Sequence, residues 1–497
     1  MATVNTFSEA QATTRNPHAV NNQKQNLRAI NGGVIVNDVH SQLNRTCVAS
    51  VVQPRSITAL AAVIERTAEQ GLSVCIAGGK HAMGAQQFAT DAVLIDTAQM
   101  NQVLSFDPAT QRIEVEAGIH WPELIDYMLT AQKDCETQFG IVQKQTGADR
   151  LSIGGALAAN IHGRGLRLKP FINDVESFVL IDSVGTTRRC SRTENAGLFR
   201  LAIGGYGLFG IIASVQLRLA RRQKLRRVVE IISSDDLAAA FQERIDTGFL
   251  YGDFQFMTDT TSADFLRRGV FSCYCPAPTD SPAPAKQQEL SAHDWKELLY
   301  LAHADRRRAF ELYSAHYLST NNQIYWSDTH QLSTYLDGYH SELDARLKAT
   351  ARASEMITEV YVPRKSLMAF LDKARADFRR HKVEFIYGTI RLIEKDAESF
   401  LAWAKESYAC IVFNLHVAHT GRGIEKAQRD FRHLIDLAIE FGGSYYLTYH
   451  RWATRKQVET CYPQFPEFLR LKQQHDPAEL FQSDWYRHYK QMFAGML

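Results

Sequence analysis

The order of patterned segments between residues 47 and 131 narrows the fold more than any other feature of this chain. Residues 47–52 are short and β-branched, which suits a strand. Ser56 is positioned to cap a helix whose apolar residues Ile57, Leu60, Ala61, Ile64 and Ala68 recur at helical spacing, and Gly71 closes it. Residues 73–77 and 92–96 read as further strands. Residues 112–117 alternate, with Ile113, Val115 and Ala117 on one face, and Pro122 falls where the first turn of a helix tolerates proline. Strand, helix, paired strands and helix in this order predict an α+β layer, not a doubly wound sheet. After Gly210 the segment IIASVQLRLA is a strand that closes this first unit.

The chain is 497 residues long, too long for one ordinary core, so two domains are expected. A second region over 223–440 has its own strands and helices, including a long helical stretch over 295–318. The proline-rich residues 275–285 read as a surface loop. Charge is nearly balanced, 56 basic against 54 acidic residues, which argues against a dedicated nucleic-acid or acidic-membrane binder. The run Arg306, Arg307 and Arg308 reads as a solvated helix face. Of eight cysteines only Cys273 and Cys275 are close, and that spacing is not a CxxC motif, so reduced thiols in a cytoplasmic protein and no metal site are expected. The first residues lack a basic start followed by an apolar run, and no stretch of about 18 apolar residues occurs. The sequon-like Asn44-Arg45-Thr46 is therefore read as chance.

Three glycine-rich strings carry the chemistry. GGYGLFG contains Gly205-x-Gly207-x-x-Gly210, the letters of the dinucleotide fingerprint, but a helix-like stretch precedes it and a strand follows. The fingerprint needs the reverse order to face a helix N-terminus to pyrophosphate, so a nicotinamide site is rejected. The string TGADRLSIGGALAANIHGRG, from Thr146 to Gly165, offers backbone N–H groups around Gly154 and Gly155 as a diphosphate cradle. Its small residues would equally suit a close crossing of two elements. The loop AGGKHAMG follows a strand and sets one histidine, His81, among glycines.

Together, GGKH near residue 80, GGAxxxxxHG near 160 and GGxGxxGII after 204 resemble the flavin-binding half of the vanillyl-alcohol-oxidase (PCMH-type) superfamily. Aldonolactone oxidases, alditol oxidases and decaprenylphosphoryl-ribose oxidase look closest. The C-terminal stretch with Asp476-Pro477 and Phe481 is similar to the last segment of the sugar-oxidising members. The resemblance implies a two-domain α+β PCMH-type fold: an arm over 1–40, an FAD-binding domain over 41–222, an inserted α+β substrate or cap domain over 223–440, and a segment over 441–497 that returns to the FAD domain. It implies FAD held by Ala77, Gly78, Gly79, Lys80, His81, Ala82 and Gly84; by Thr146, Gly147, Ser152, Gly154, Gly155, Ala158, Asn160, His162 and Gly163; and by Gly207, Gly210, Ile211 and Ile212. His81 stands where many relatives bond a histidine to the 8α-methyl carbon of the flavin.

The same resemblance places the substrate side in the second region. Sugar-oxidising relatives show Glu-x-Arg on a strand where this chain has Thr389-x-Arg391, so Arg391 is retained and the acid is not. A lysine of those relatives is replaced near Tyr449. Arg391 is expected to orient a substrate oxygen or to stabilise reduced anionic flavin, and His416, Tyr449 and His450 are candidate proton acceptors. Tyr445, Leu447 and Tyr449 are expected on one face of a strand, with Tyr446, Thr448 and His450 on the other. Trp326 and Trp452 offer stacking surfaces. The implied activity is oxidation of a carbinol or hemiacetal of a sugar, polyol or lactone-like molecule by hydride transfer to flavin N5, with O2 or another electron acceptor as the second partner. A flavin dehydrogenase or reductase, or a flavin-fold binding protein without chemistry, is the alternative.

Overall fold

The computed structural model describes residues 29–30, 32–284, 287–334, 336 and 338–496, so most of the expected arm lies outside the described residues. The protein is α+β. A three-stranded parallel sheet, ordered Ser50–Val52, Val93–Asp96 and Val74–Ala77, forms the first layer. Helix Ile57–Glu69 covers it. Ser56 accepts from the Ala59 amide at 3.1 Å as the expected cap, and Leu60, Val63 and Ile64 turn inward at helical spacing. Residues 47–52 make two short strands, not one. Thr46–Val48 pairs antiparallel with Gly33–Val36, whereas Ser50–Val52 joins the parallel sheet.

A second sheet, antiparallel, runs in the order Thr187–Ser191, Val175–Ile181, Ile211–Arg221, Arg112–Glu116 and Val103–Asp107, with Phe139–Ile141 pairing the far end of Ile211–Arg221. The helix preceding GGYGLFG is Ala196–Ala202 and the strand after it is Ile211–Arg221, the order that rules out the nicotinamide fingerprint. Between these sheets sits helix Ile153–Ala159, capped by Ser152.

The third sheet has eight strands: Ile324–Trp326, Lys224–Ser233, Arg268–Pro276, Tyr251–Phe256, Phe385–Ile393, Tyr408–Ala418, Ala353–Pro363 and Ser444–Tyr445. Its register explains its two faces. One cross-strand row is Phe254, Ile390, Ile411 and Val360, all fully buried. The neighbouring row is Gln255, Thr389, Val412 and Glu359. Because side chains alternate along each strand, the two rows face opposite ways. Helices Leu367–His381 and Gly421–Glu440 pack on the sheet's apolar side through residues such as Phe378 and Phe431. The expected helix over 295–318 is two helices, Ala292–Ala304 and Arg306–Ser319. The break is at Asp305, whose φ of −151° is extended and whose carboxylate caps the second helix at the Arg308 amide.

The C-terminal segment returns to the first layer. Phe481 bridges Val74 in parallel, and Leu480 and Phe481 pack with Leu60, Ile64 and Ile95. A turn held by Asp476 sets that register: its carboxylate accepts from the Leu480 and Phe481 amides at 2.9 and 2.8 Å and pairs with Lys472 at 2.6 Å, both side chains being fully buried. All eight cysteines are free, and among the described residues no helix is long and apolar enough to cross a membrane.

Candidate functional site

A cavity of about 890 Å³ lies between the two smaller sheets and the polar face of the eight-stranded sheet. That volume is in the range of cofactor and small-molecule sites. Strand Val74–Ala77 ends in the loop that carries Gly78, Gly79, Lys80, His81 and Ala82 onto the cavity wall. Thr146, Gly147, Ser152, Gly154, Gly155, Ala158 and His162 line the next stretch, and Gly207, Gly210 and Ile212 complete this side. Five expected cofactor residues do not line it. Ala77 and Ile211 lie within strands, Gly84 donates to Gln86, and Gly163 packs under Lys144. Asn160 ends its helix in left-handed geometry and bonds Asp396 and the Ile172 amide.

The cradle expected at Gly154 and Gly155 is built differently. The Ile153, Gly154 and Gly155 amides donate to Ile119 O, Ala117 O and Ser152 Oγ, so they are already satisfied within the protein. The glycines permit close approach instead, since a Cβ on Gly154 would lie 2.7 Å from the Ala117 methyl. Free donors occur in the 78–84 loop, where the amides of Gly79, Lys80 and Ala82 meet no acceptor among the described residues. Lys80 adopts a φ of +59° there and pairs with Asp96 at 3.0 Å. Thr146 Oγ1 is also buried without a partner. Open amides and an orphaned hydroxyl on one wall suit a polyanionic cofactor. A Cβ on Gly79 would fall 2.3 Å from the Arg150 carbonyl, so Gly79→Ala is expected to shift this loop and weaken FAD affinity roughly tenfold or more, measured by flavin titration of stripped protein.

His81 is half-buried at this loop, with Nδ1 2.8 Å from His40 Nε2. Burial, reinforced by the neighbouring imidazoles of His40 and His120, holds its pKa well below the usual histidine range. It is a neutral ring at neutral pH.

On the opposite wall stand Arg391, Glu359, Tyr387, Asn414 and Tyr449. Glu359 was not expected from the sequence. Its Oε1 is 2.6 Å from His162 Nε2, while His162 Nδ1 is 3.0 Å from the Gly163 carbonyl. A contact of 2.6 Å between Nε2 and a carboxylate oxygen is a short, charge-assisted hydrogen bond that fixes the orientation of the carboxylate. The pair is fully enclosed by protein on all but the cavity side, with both side chains at most 3% exposed. Arg391 Nε is buried with no partner, so this guanidinium has a donor to spare. Thr389, which replaces the relatives' acid, is buried and bonds Asp253.

Tyr449 donates to Glu359 Oε2 at 3.4 Å, and burial together with that carboxylate raises its pKa well above the ordinary value. It is a donor here. Residues 446–449 are not the expected strand, which ends at Tyr445; they form a turn pinned by Gln86, whose Nε2 donates to the Leu447 and Thr448 carbonyls. That turn brings Tyr446, Thr448 and Tyr449 together on the cavity wall. His450 points away, packed against Phe431 and near-parallel to Trp452, and burial pushes its pKa down to about 3. His416 does not line the cavity either; it bonds Glu355. Trp326 lies under the Arg222 guanidinium, outside the cavity.

Residues 48–191 match the family model described as an FAD binding domain. Over 177 residues the chain is 29% identical to the mitochondrial L-galactono-1,4-lactone dehydrogenase of Arabidopsis thaliana, covering 35% of this chain and 27% of that protein. It is 25% identical over 198 residues to cytokinin dehydrogenase 4 of Oryza sativa subsp. japonica, 38% of this chain and 36% of the relative. With the L-gulono-1,4-lactone dehydrogenase of Mycobacterium tuberculosis the identity is 23%, over 88% of this chain and 95% of the relative. The chain thus spans only about a third of the plant relatives' length. These matches bear out the resemblance to the vanillyl-alcohol-oxidase superfamily and the cofactor: the chain carries an FAD-binding domain of this kind, and FAD is what it binds.

Proposed function

We propose, from the premise of an FAD-binding domain at residues 48–191, that this protein is an FAD-dependent oxidoreductase acting on a carbinol or hemiacetal C–H of a sugar, polyol or lactone-like substrate. The observation that carries this is the 2.6 Å contact between His162 and the Glu359 carboxylate on the cavity wall, on the same lining as the spare donor of Arg391. Bound FAD supplies the acceptor for the two electrons of the oxidation. The chain's own residues do the rest. Arg391 donates to the substrate oxygen and fixes its orientation. The Glu359 carboxylate, oriented by His162, accepts the hydroxyl proton, and the mostly apolar lining keeps water from competing for it. Asn414, whose Oδ1 is buried without a partner on the cavity wall, gives a polyhydroxylated substrate a further partner. Names of the lactone dehydrogenases among the relatives support this substrate class. Anaerobic mixing with a panel of aldonolactones, alditols and aldoses should bleach the flavin with at least one; no reduction by any of them overturns the reading.

Two finer points belong to the same proposal. Reoxidation by O2 is the first, with a dehydrogenase as the second reading because three of the relatives carry that word in their names. Mixing the reduced protein with air decides it, since fast reoxidation with release of peroxide requires an oxidase. The second is that His81 holds the flavin covalently through its 8α-methyl carbon, for which its neutral imidazole on the cavity wall is suited. Acid precipitation should leave a yellow pellet, lost in His81→Ala. Yellow colour in the wild-type supernatant removes the bond while leaving the cofactor. A cytoplasmic location fits the eight free thiols.

A further inference from the structure

One cluster of buried and half-buried titratable groups is not used by the chemistry above. Glu355, on strand Ala353–Pro363, has Oε1 3.2 Å from Nδ1 of His416 on the adjacent strand and 3.3 Å from Nε2 of His303 on helix Ala292–Ala304. The donor atoms of all three lie within 4.8 Å of one another. His303 Nε2 makes no hydrogen bond at that separation. A second helix, His340–Arg346, brings His340 to the same carboxylate, with Nε2 3.8 Å from Oε2; the His340 side chain is only 9% exposed, and both ring nitrogens are buried without a partner. The Tyr339 hydroxyl donates to Oε2 at 2.6 Å and orients the carboxylate.

The 3.2 Å His416 contact is at the long end of an imidazole–carboxylate hydrogen bond, and at 3.3 Å His303 makes none. Both separations match the edge of a tetrahedron around an ion with bonds of about 2.1 Å, which is roughly 3.4 Å. Two imidazoles around one carboxylate, one of them with an unsatisfied nitrogen, form a borderline-soft donor set suited to a zinc-class ion. We propose that His303, Glu355 and His416 bind one divalent transition-metal ion of the zinc class, with water in the fourth position. The site is structural. It ties helix Ala292–Ala304 to the eight-stranded sheet, at the edge of the cavity that Glu355 and Tyr339 also line. Ligands from positions 303, 355 and 416 have no short-range spacing, so no motif in the chain marks them. The site does not depend on the catalytic reading.

The test is a calorimetric titration of chelator-treated, FAD-loaded protein with Zn2+, beside thermal unfolding with and without the ion. One tight equivalent per chain and a raised unfolding midpoint are expected. His303→Asn with His416→Asn should lose both, at unchanged flavin content. His381→Asn, on the more exposed cluster of Asp377, His381 and His433, should keep both. The proposal is overturned if wild-type protein binds no tight equivalent, or if the equivalent is lost in His381→Asn, which would put the ion on the surface cluster. Should the double variant fail to fold, Glu355→Gln serves in its place, and unchanged Zn2+ binding and midpoint shift in that variant likewise overturn the proposal.

Discussion

Glu359→Gln is expected to slow flavin reduction by about 10²–10⁴-fold, the usual worth of a positioned general base, with FAD content unchanged. The substitution keeps the size of the side chain and a hydrogen bond to His162 in place of the 2.6 Å contact, but an amide cannot take up the proton of the substrate hydroxyl. Single-turnover reduction under anaerobic conditions reads the effect directly. Because the two residues act as one unit, His162→Gln should cost about as much, and the double variant little more than either. Tyr449→Phe removes only a 3.4 Å contact with the same carboxylate and should leave the rate within about tenfold of wild type. Reduction of Glu359→Gln at the wild-type rate would deny the pair its role in proton transfer. A loss of bound FAD instead would make it part of the cofactor pocket.

The second large effect is on stability. Asp476→Ala is expected to destabilise the folded protein by about 3–5 kcal/mol, because Lys472 is then left as an uncompensated charge in the interior. Lys472 and Asp476 are 0% and 1% exposed, and burial already lowers the lysine pKa against the pull of the carboxylate. Asp476 also loses its bonds to the Leu480 and Phe481 amides, the turn that lets Phe481 pair with Val74. Since Val74–Ala77 leads directly into the 78–84 loop, the variant should lose FAD affinity along with its melting temperature. Replacing the pair by apolar residues, Lys472→Met with Asp476→Leu, should be less damaging to the interior charge balance than Asp476→Ala. Thermal unfolding and flavin retention in the three proteins measure this, and an unfolding midpoint of Asp476→Ala equal to wild type would show that the pair contributes little.

What the amino-acid sequence determined by itself was local. Ser56 and the spacing of Leu60, Val63 and Ile64 define a helix through bonds and contacts within a few residues, and the alternation at Ile113 and Val115 defines a strand in the same way. The order helix, glycine string, strand around Gly207 was enough to exclude a nicotinamide site. The resemblance carried by GGKH and the strings after it located most of one cavity wall. The opposite wall was decided only by the tertiary structure. Glu359 meets His162 across 197 residues of chain because sheet register sets it in a row with Val412 and Thr389. Neither residue carries a local signature of the other. The stretch YYLTYH alternates like a strand, yet Gln86, more than 360 residues earlier, draws the Leu447 and Thr448 carbonyls into a turn, so Tyr449 faces the cavity while His450 is sealed against Phe431. The amide of Gly154 looks open in the sequence but is taken by the Ala117 carbonyl once a neighbouring strand end arrives, whereas Gly155 is satisfied locally by its cap, Ser152. Periodicity and capping are properties of neighbouring residues; partners for a carboxylate, an imidazole or an amide are chosen by register between distant strands, which no short window of the chain contains.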